Sequence, residues 1–335
     1  MIRQSAPVIA SIIIPTLGRS PHLRGLLERL QRQTTDFVFE VFVVANIPQQ
    51  ALRKLVNSMG STGQGRFEYL ETGRMGANLA RNKGIERAQG SVLLFLDDDA
   101  ILDSDTFLSR HIEHHQTHPE AVAVGGPYRL TPVHSNWDSA YHAIAHDWLK
   151  CHVRKDHRTS QLLGGNMSIK KSSLDLYGWK FDEEIGFGGA ETGLCLRFAL
   201  ANRDLLYFDD LEIGHAPDLN RMAFCRKAYL QGAGARWREK KFAPLSMQTA
   251  NEFRKPSVAI DSREEAARAL YRRCFDFGWR KSAYDHVDFH KPIPSFSYVQ
   301  YVFFRSLSLR PFSKLRSVHR RGYVALRSAW LNGHR

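Results

Sequence analysis

The chain has few cysteines and no long apolar run among its 335 residues. Cys151, Cys195, Cys225 and Cys274 are scattered, and no two form a C-x-x-C pair. This spacing argues against a zinc ribbon or a dense disulfide framework and predicts reduced thiols in a cytoplasmic protein. No stretch approaches the ~18–20 apolar residues a spanning helix needs. Met1-Ile2-Arg3-Gln4-Ser5 offers no signal-peptide apolar core. The expectation is a soluble protein, or one peripheral on the inner face of a membrane. Acidic residues are also in deficit. With 34 Asp and Glu against 47 Lys and Arg, the net charge is +13, which invites an anionic partner. No internal repeat is present. An apolar fraction of 43% is ordinary and leaves enough for a sizeable core.

In this acid-poor chain three carboxylates stand together. Asp97-Asp98-Asp99 follows the apolar run Val92-Leu93-Leu94-Phe95-Leu96, which reads as a buried strand. Carboxylates cannot be buried unpaired, so they belong at the mouth of a sheet, where open α/β folds bind ligands. Alternation along extended chain points Asp97 and Asp99 the same way. Two oxygen donors on one side suit a hard divalent cation that also holds phosphates. A capping or turn cluster would use the same residues.

The surrounding pattern alternates strands and helices. Val8 to Ile14 reads as a strand ended by Pro15, with Ser20 and Pro21 as N-cap and first residue of the next helix. Residues 39–44 and 67–70 read as strands, 51–59 and 77–88 as helices, and 61–65 as a loop. Further on, 106–118 and 190–201 read as helices and 121–125, 165–169 and 205–208 as strands. Residues 131–161 are polar, rich in His and aromatics, and fit neither period; an acceptor-side excursion is the expectation. This order predicts an α/β fold with a mostly parallel sheet. A soft boundary near Asn220 separates residues 1–220 from a basic, mainly helical extension, 221–335.

Four further segments accompany the acidic triplet. They are Ser11-Ile12-Ile13-Ile14-Pro15-Thr16-Leu17-Gly18-Arg19, Gly76-Ala77-Asn78-Leu79-Ala80-Arg81-Asn82-Lys83-Gly84, Gly164-Gly165-Asn166-Met167-Ser168 and Phe187-Gly188-Gly189-Ala190-Glu191-Thr192. The ordered set resembles the inverting family-two glycosyltransferases with the GT-A fold, over residues 8 to 220. The resemblance implies a mixed, mostly parallel Rossmann-like sheet flanked by helices. It also implies metal-dependent transfer of a sugar from a nucleoside diphosphate, with UDP expected, to a hydroxyl of a glycan or lipid-linked acceptor. Pro15, Thr16, Arg19, Asn46, Gly76, Arg81, Asp97 and Asp98 would then meet the nucleotide sugar. Asp99 and His215 would hold Mn or Mg. Glu191 would be the catalytic base, and Gly165, Asn166 and Trp179 would line the acceptor side.

Two departures stand out. The family's base-contacting Asp at the end of the second strand is replaced by Ala45, followed by Asn46, so the choice of base stays open. The usual Glu-Asp before a helix becomes Ala190-Glu191, which keeps one carboxylate with an added methylene. These changes leave room for a retired nucleotide-sugar or glycan-binding module. A nucleotidyltransferase, which shares strand-end carboxylates, is a further alternative.

Two basic or imidazole-rich segments complete the reading. His111, His114, His115 and His118 share helical spacing, but no Cys or patterned acid completes a zinc site, so a polar surface is expected. Residues 291–335 hold nine Lys or Arg and no acid. As a helix, Phe312, Leu315, Tyr323, Leu326 and Trp330 would share one side flanked by Arg316, Arg320 and Arg327. That pattern suits an anionic membrane surface, or a helix docked on the catalytic domain. No nucleic-acid motif accompanies the charge.

Overall fold

The computed structural model describes residues 6–62, 64–131, 134–185, 189, 191–242 and 262–284. They all belong to one compact unit, Met1–His290; Lys291–Arg335 form a second. The expected tail helix, with Phe312 to Trp330, lies outside the described residues, as do Phe187, Gly188 and Ala190.

The first half alternates strand and helix. It runs β1 (Val8–Thr16), α1 (Leu23–Gln31), β2 (Val38–Ala45), α2 (Gln50–Met59), β3 (Ser61–Thr62), β4 (Gly65–Glu71), α3 (Ala77–Arg87) and β5 (Val92–Leu96). The middle holds β6 (Ala100–Ile101), α4 (Phe107–Thr117), β7 (Ala121–Gly125), β8 (Tyr128–Leu130), α5 (Asn136–Lys150), β9 (Arg158–Thr159) and β10 (Asn166–Lys170). Then come α6 (Lys171–Tyr177), α7 (Thr192–Leu200), β11 (Asp204–Tyr207), β12 (Ile213–His215), α8 (Arg221–Lys241) and α9 (Ser262–Tyr284).

The main sheet has the order β3-β4-β2-β1-β5-β10-β7-β11-β9. Strands β4, β2, β1 and β5 are parallel, and β10 runs against both β5 and β7. The chain moves outward from β1 through β2 to β4, then returns to the other side of β1 as β5. Ligands bind in α/β sheets at such a reversal, beyond the carboxyl ends of the strands. Side-chain alternation fills both faces: Ile12, Ile14, Leu94 and Leu96 enter one apolar cluster, while Ile13, Leu93 and Phe95 enter the other.

A small second sheet, β6-β12-β8, stands beyond β5. His215 on β12 pairs with Ala100 on β6 and Leu130 on β8, which sets it beside the residue after Asp99. Helices α8 and α9 pack along each other within the same unit. A Cβ on Gly232 would overlap the Phe275 carbonyl, and one on Gly278 would overlap the Tyr229 carbonyl, so the two backbones meet where side chains are absent.

Local details correct the sequence reading. Pro15 lies inside β1, opposite Val44, rather than ending it; pairing with β5 has already stopped at Ile13, so no two-sided ladder is broken there. Helix α1 begins at Leu23, and Ser20 Oγ accepts the His22 N–H at 3.2 Å in the loop before it. The expected loop after Met59 contains β3, which pairs with β4. The unassigned stretch 131–161 contains α5. Its start is a capping box, with Ser135 accepting from the Asp138 N–H and Asp138 accepting from the Ser135 N–H.

Candidate active site

Strand β5 delivers the three carboxylates to the mouth of the sheet. Arg81 on α3 lies 3.0 Å from Asp97 Oδ1. The Tyr128 hydroxyl donates to Asp97 Oδ2 at 3.3 Å and accepts the Gly165 N–H at 3.0 Å. Burial, followed by the charges of Asp97 and Asp99, raises the Tyr128 pKa well above the phenol value, so the ring keeps its proton as donor. A side chain on Gly165 would overlap the Asp97 carboxyl, which explains a glycine there. Asp98 turns to the other side and accepts from Thr16 Oγ1 at 2.5 Å.

Asp97, Asp99 and His215 offer ligand atoms that all lie within 4.8 Å of one another. His215 Nε2 is 3.5 Å from Asp99 Oδ2. Among the described residues, Asp99 Oδ1 and His215 Nδ1 are buried without a hydrogen-bond partner. Burial, reinforced by the Lys227 charge, lowers the His215 pKa to about 3, so the imidazole is neutral. Burial also pushes Asp98 and Asp99 up to about 6, the mutual repulsion of the carboxylates adding to it. Two carboxylates, one of them with an unpartnered oxygen, and a neutral imidazole fit a divalent cation.

Glu191 stands at the N-cap of α7 and makes no side-chain cap bond there. It lies over Gly164, where a Cβ would come within 2.9 Å of Oε2. Nearby, Arg238 on α8 donates to the Gly189 carbonyl at 2.8 Å. Burial lowers the Arg238 pKa to about 10 against the opposing charges of Glu191 and Asp182. Glu191, the carboxylates and His215 line one cavity of about 1000 Å³. At the upper end of the usual ~300–1,000 Å³ range, it has room for more than one small ligand.

Pro15, Thr16, Arg19, Asn46, Arg81, Asp97, Asp98, Asp99, Gly165, Glu191 and His215 all reach this cavity. Three other expected residues do not. Gly76, with φ +145°, serves through its carbonyl, which accepts from Asn46 Nδ2 at 2.9 Å. Asn166 is buried and donates to the carbonyls of Pro127 and Leu211, so it is a strut between the sheets. Trp179 stacks on Tyr177 and packs edge-on against Phe198, outside the lining of this cavity. Asn46 also donates to the Arg74 carbonyl at 3.2 Å, so its amide fixes the loop before α3. Asp182 is structural, buried between Lys241 and Arg197.

Sequence reading missed Tyr128 and Lys227. Tyr128 stacks on His215 with ring centroids 4.3 Å apart. Lys227 lines the cavity from α8, its Nζ 4.2 Å from the Tyr141 ring centroid. Burial opposes the ammonium, but Tyr141, Asp99 and Asp97 outweigh it and raise its pKa. The available signal was the spacing of Lys227, Gln231, Ala235 and Arg238 along one side of a helix. The histidine segment also differs from expectation. His111 and His115 are buried and share Ser168 Oγ at 2.9 Å, while His114 meets Asp210.

Residues 11–176 match the family model described as glycosyl transferase family 2. Among curated relatives, the uncharacterized glycosyltransferase YfnE of Bacillus subtilis is 28% identical over 116 residues, 35% of this chain and 29% of that protein. The chain matches less than half the length of each such relative. Among solved structures, the mannosyltransferase PcManGT of Pyrobaculum calidifontis, in complex with GDP-Man and Mn²⁺, superposes with a TM-score of 0.53 at 15% identity, covering 94% of this chain and 84% of that one. S. aureus TarS 1-349 in complex with UDP gives 0.51 at 16%, covering 94% and 92%. At such identity the structures speak for the fold alone, and they share the mostly parallel GT-A sheet described above. The family match and the order of the motifs agree over residues 11–176, the segment of this chain that matches glycosyl transferase family 2.

Proposed function

We propose that the protein is a metal-dependent, inverting glycosyltransferase. It moves a sugar from a nucleoside-diphosphate donor, UDP-linked in our reading, to a hydroxyl acceptor. The observation that carries this is the convergence of Asp97, Asp99, His215 and Glu191 on one cavity at the reversal of the sheet. The nucleotides bound by PcManGT and TarS, and the Mn²⁺ of the former, support a donor and a cation of these classes.

Asp99 and His215 would hold Mn²⁺ or Mg²⁺, with Asp97 beside them. A bound divalent ion supplies Lewis-acid charge for the departing diphosphate. Thr16, Arg19 and Arg81 bind and orient the nucleotide sugar. Lys227 adds a fixed positive charge to the same end of the cavity. Glu191 takes the proton of the acceptor hydroxyl as that oxygen attacks the anomeric carbon. The bond from that carbon to the diphosphate oxygen breaks, and the nucleoside diphosphate leaves with the electron pair. Attack opposite the leaving group inverts the centre, and Glu191 supplies the one base this displacement needs.

The test is nucleoside-diphosphate release from UDP-, GDP- and dTDP-sugars with Mn²⁺, beside Glu191→Gln and Asp99→Asn. Release from one donor, lost in both variants, is expected. Donor binding without turnover under any acceptor would instead mark a binding module, and pyrophosphate release a nucleotidyltransferase. No helix among the described residues is long and apolar enough to cross a membrane. Contact with an anionic cytoplasmic membrane through residues 291–335 is part of the same proposal and rests on their charge.

A further inference from the structure

Besides the donor residues, the cavity has a wing lined by α5, α8 and α9, whose apolar side chains the donor chemistry does not use. Three helices send apolar side chains into it. From α5 come Tyr141, Ile144, Ala145 and Trp148, spaced i, i+3, i+4 and i+7 on one face. From α9 come Tyr271, Phe275 and Trp279, one turn apart, and from α8 comes Ala235. Leu163 and Leu196 add apolar surface to the same cavity.

Several polar groups of this wing pair with one another, while Arg272 and Asp276, both exposed, also line the cavity. Gln231 Nε2 donates to the Tyr141 hydroxyl at 3.2 Å, and Trp279 Nε1 donates to Glu239 at 3.1 Å. Arg268 is held between Asp147 at 2.8 Å and Glu264 at 2.7 Å. A glycan chain here would meet Ile144, Ala145 and Leu196, which offer its hydroxyls no partner, and unpaired buried hydroxyls are costly. A hydrocarbon chain would instead gain from the same surface.

We infer that the acceptor is an amphiphile. Its reacting hydroxyl sits at Glu191, and its hydrocarbon portion lies in the wing between α5, α8 and α9. This rests on the glycosyltransferase reading and narrows its acceptor class. Helix α5 lies inside the segment matched by the family model and both α8 and α9 lie outside it, so the family match supplies only one side of this wall.

The test uses the full chain and a series of alkyl β-D-glucopyranosides, methyl to octyl, below the micelle concentration of each. Binding is read by tryptophan fluorescence, with UDP titrated in parallel. Affinity is expected to rise with chain length, by about tenfold for every two methylene groups buried. Ala145→Trp and Ala235→Phe, which fill the wing from two different helices, should flatten the series. A flat series in the unaltered protein overturns the inference without recourse to any variant. A rise that survives both substitutions, in proteins that melt cooperatively, overturns the placement. UDP binding with a flat series sinks this inference alone. A rising series without UDP binding sinks the donor reading and leaves an apolar ligand site.

Discussion

Tyr128 stands flat against His215, their planes within 10° and their centroids 4.3 Å apart, while its hydroxyl reaches Asp97. One side chain thereby holds two of the three groups that would bind the cation. Tyr128→Phe keeps the stack and removes the hydroxyl. Mn²⁺ affinity should fall by about 10–100-fold, the usual effect of losing such a supporting partner. Calorimetric titration checks it, and an unchanged affinity would show that Asp97 is oriented by Arg81 alone.

Glu191→Gln removes the proposed base with almost no change in shape. Transfer should slow by roughly 10²–10⁴-fold, the typical contribution of general base catalysis. Donor affinity should stay within about twofold, since only the acceptor proton is affected. A single-turnover assay beside a UDP titration separates the two, and a parallel loss of both would place Glu191 in donor binding.

Lys227 sits close enough to Asp97 and Asp99 for their charges to raise its pKa. Its ammonium therefore competes with a cation for the carboxylates and attracts a diphosphate. Lys227→Met should tighten Mn²⁺ binding and weaken UDP binding, while Lys227→Arg restores the second. Movement of both affinities in the same direction would contradict the electrostatic account.

Acid should unfold this protein early. Burial lowers the pKa of His115 and His215 to about 3 and of His142 and His152 to about 4, and that of His111 well below its ordinary value. Above their unfolded value of 6.5 these rings are neutral in both states. As pH falls below it, the unfolded chain takes up protons that the folded chain refuses, so stability is lost toward pH 4. Asp98 and Asp99, raised to about 6, act the other way, because their ionisation cost fades between pH 6 and 4. Five groups outweigh two. Thermal melts of the metal-free protein should therefore fall steadily from pH 6.5 to 4.5; a flat or rising midpoint would refute this balance.

Trp179 offers a negative control. Its ring packs on Tyr177 and Phe198 rather than in the cavity. Trp179 is only partly buried, so Trp179→Ala should cost less than the ~3–5 kcal/mol lost when a fully buried large aromatic is truncated. Trp179→Phe should leave acceptor KM unchanged, and a raised KM in that folded variant would return the residue to the acceptor side.

Much of this was legible in the sequence. The run Val92–Leu96 and its acidic sequel identified the strand and its ligand end, because an uninterrupted apolar stretch followed by unpairable charge has few other solutions. Ala77–Arg87 and Ala121–Gly125 were equally plain. Helix α5 was obscured by its mixture of histidine, aromatic and acid, although Ser135 and Asp138 at capping-box spacing announced its start. Lys227 was hidden for a different reason. A lysine on a basic helix looks solvated until α5 and α8 bring Tyr141 over it, and no local pattern encodes that packing. Trp179 looked available for a sugar because an aromatic ring carries no mark of which surface it will meet.

The crossing at Gly232 and Gly278 divides labour along the chain. Each helix backbone fills the space that a side chain would need on the other, so α8 and α9 form a closed pair whose mutual fit owes nothing to β1, β2 or β5. Most of the donor's contacts are written before Gly165, with His215 and Lys227 added later, and the far wall of the acceptor wing is written after Asn220. A chimera that takes everything past Asn220 from a related protein, but keeps a lysine at position 227, would thus inherit a new acceptor wall while keeping its nucleotide, and recombination at that seam would let one catalytic head serve many products.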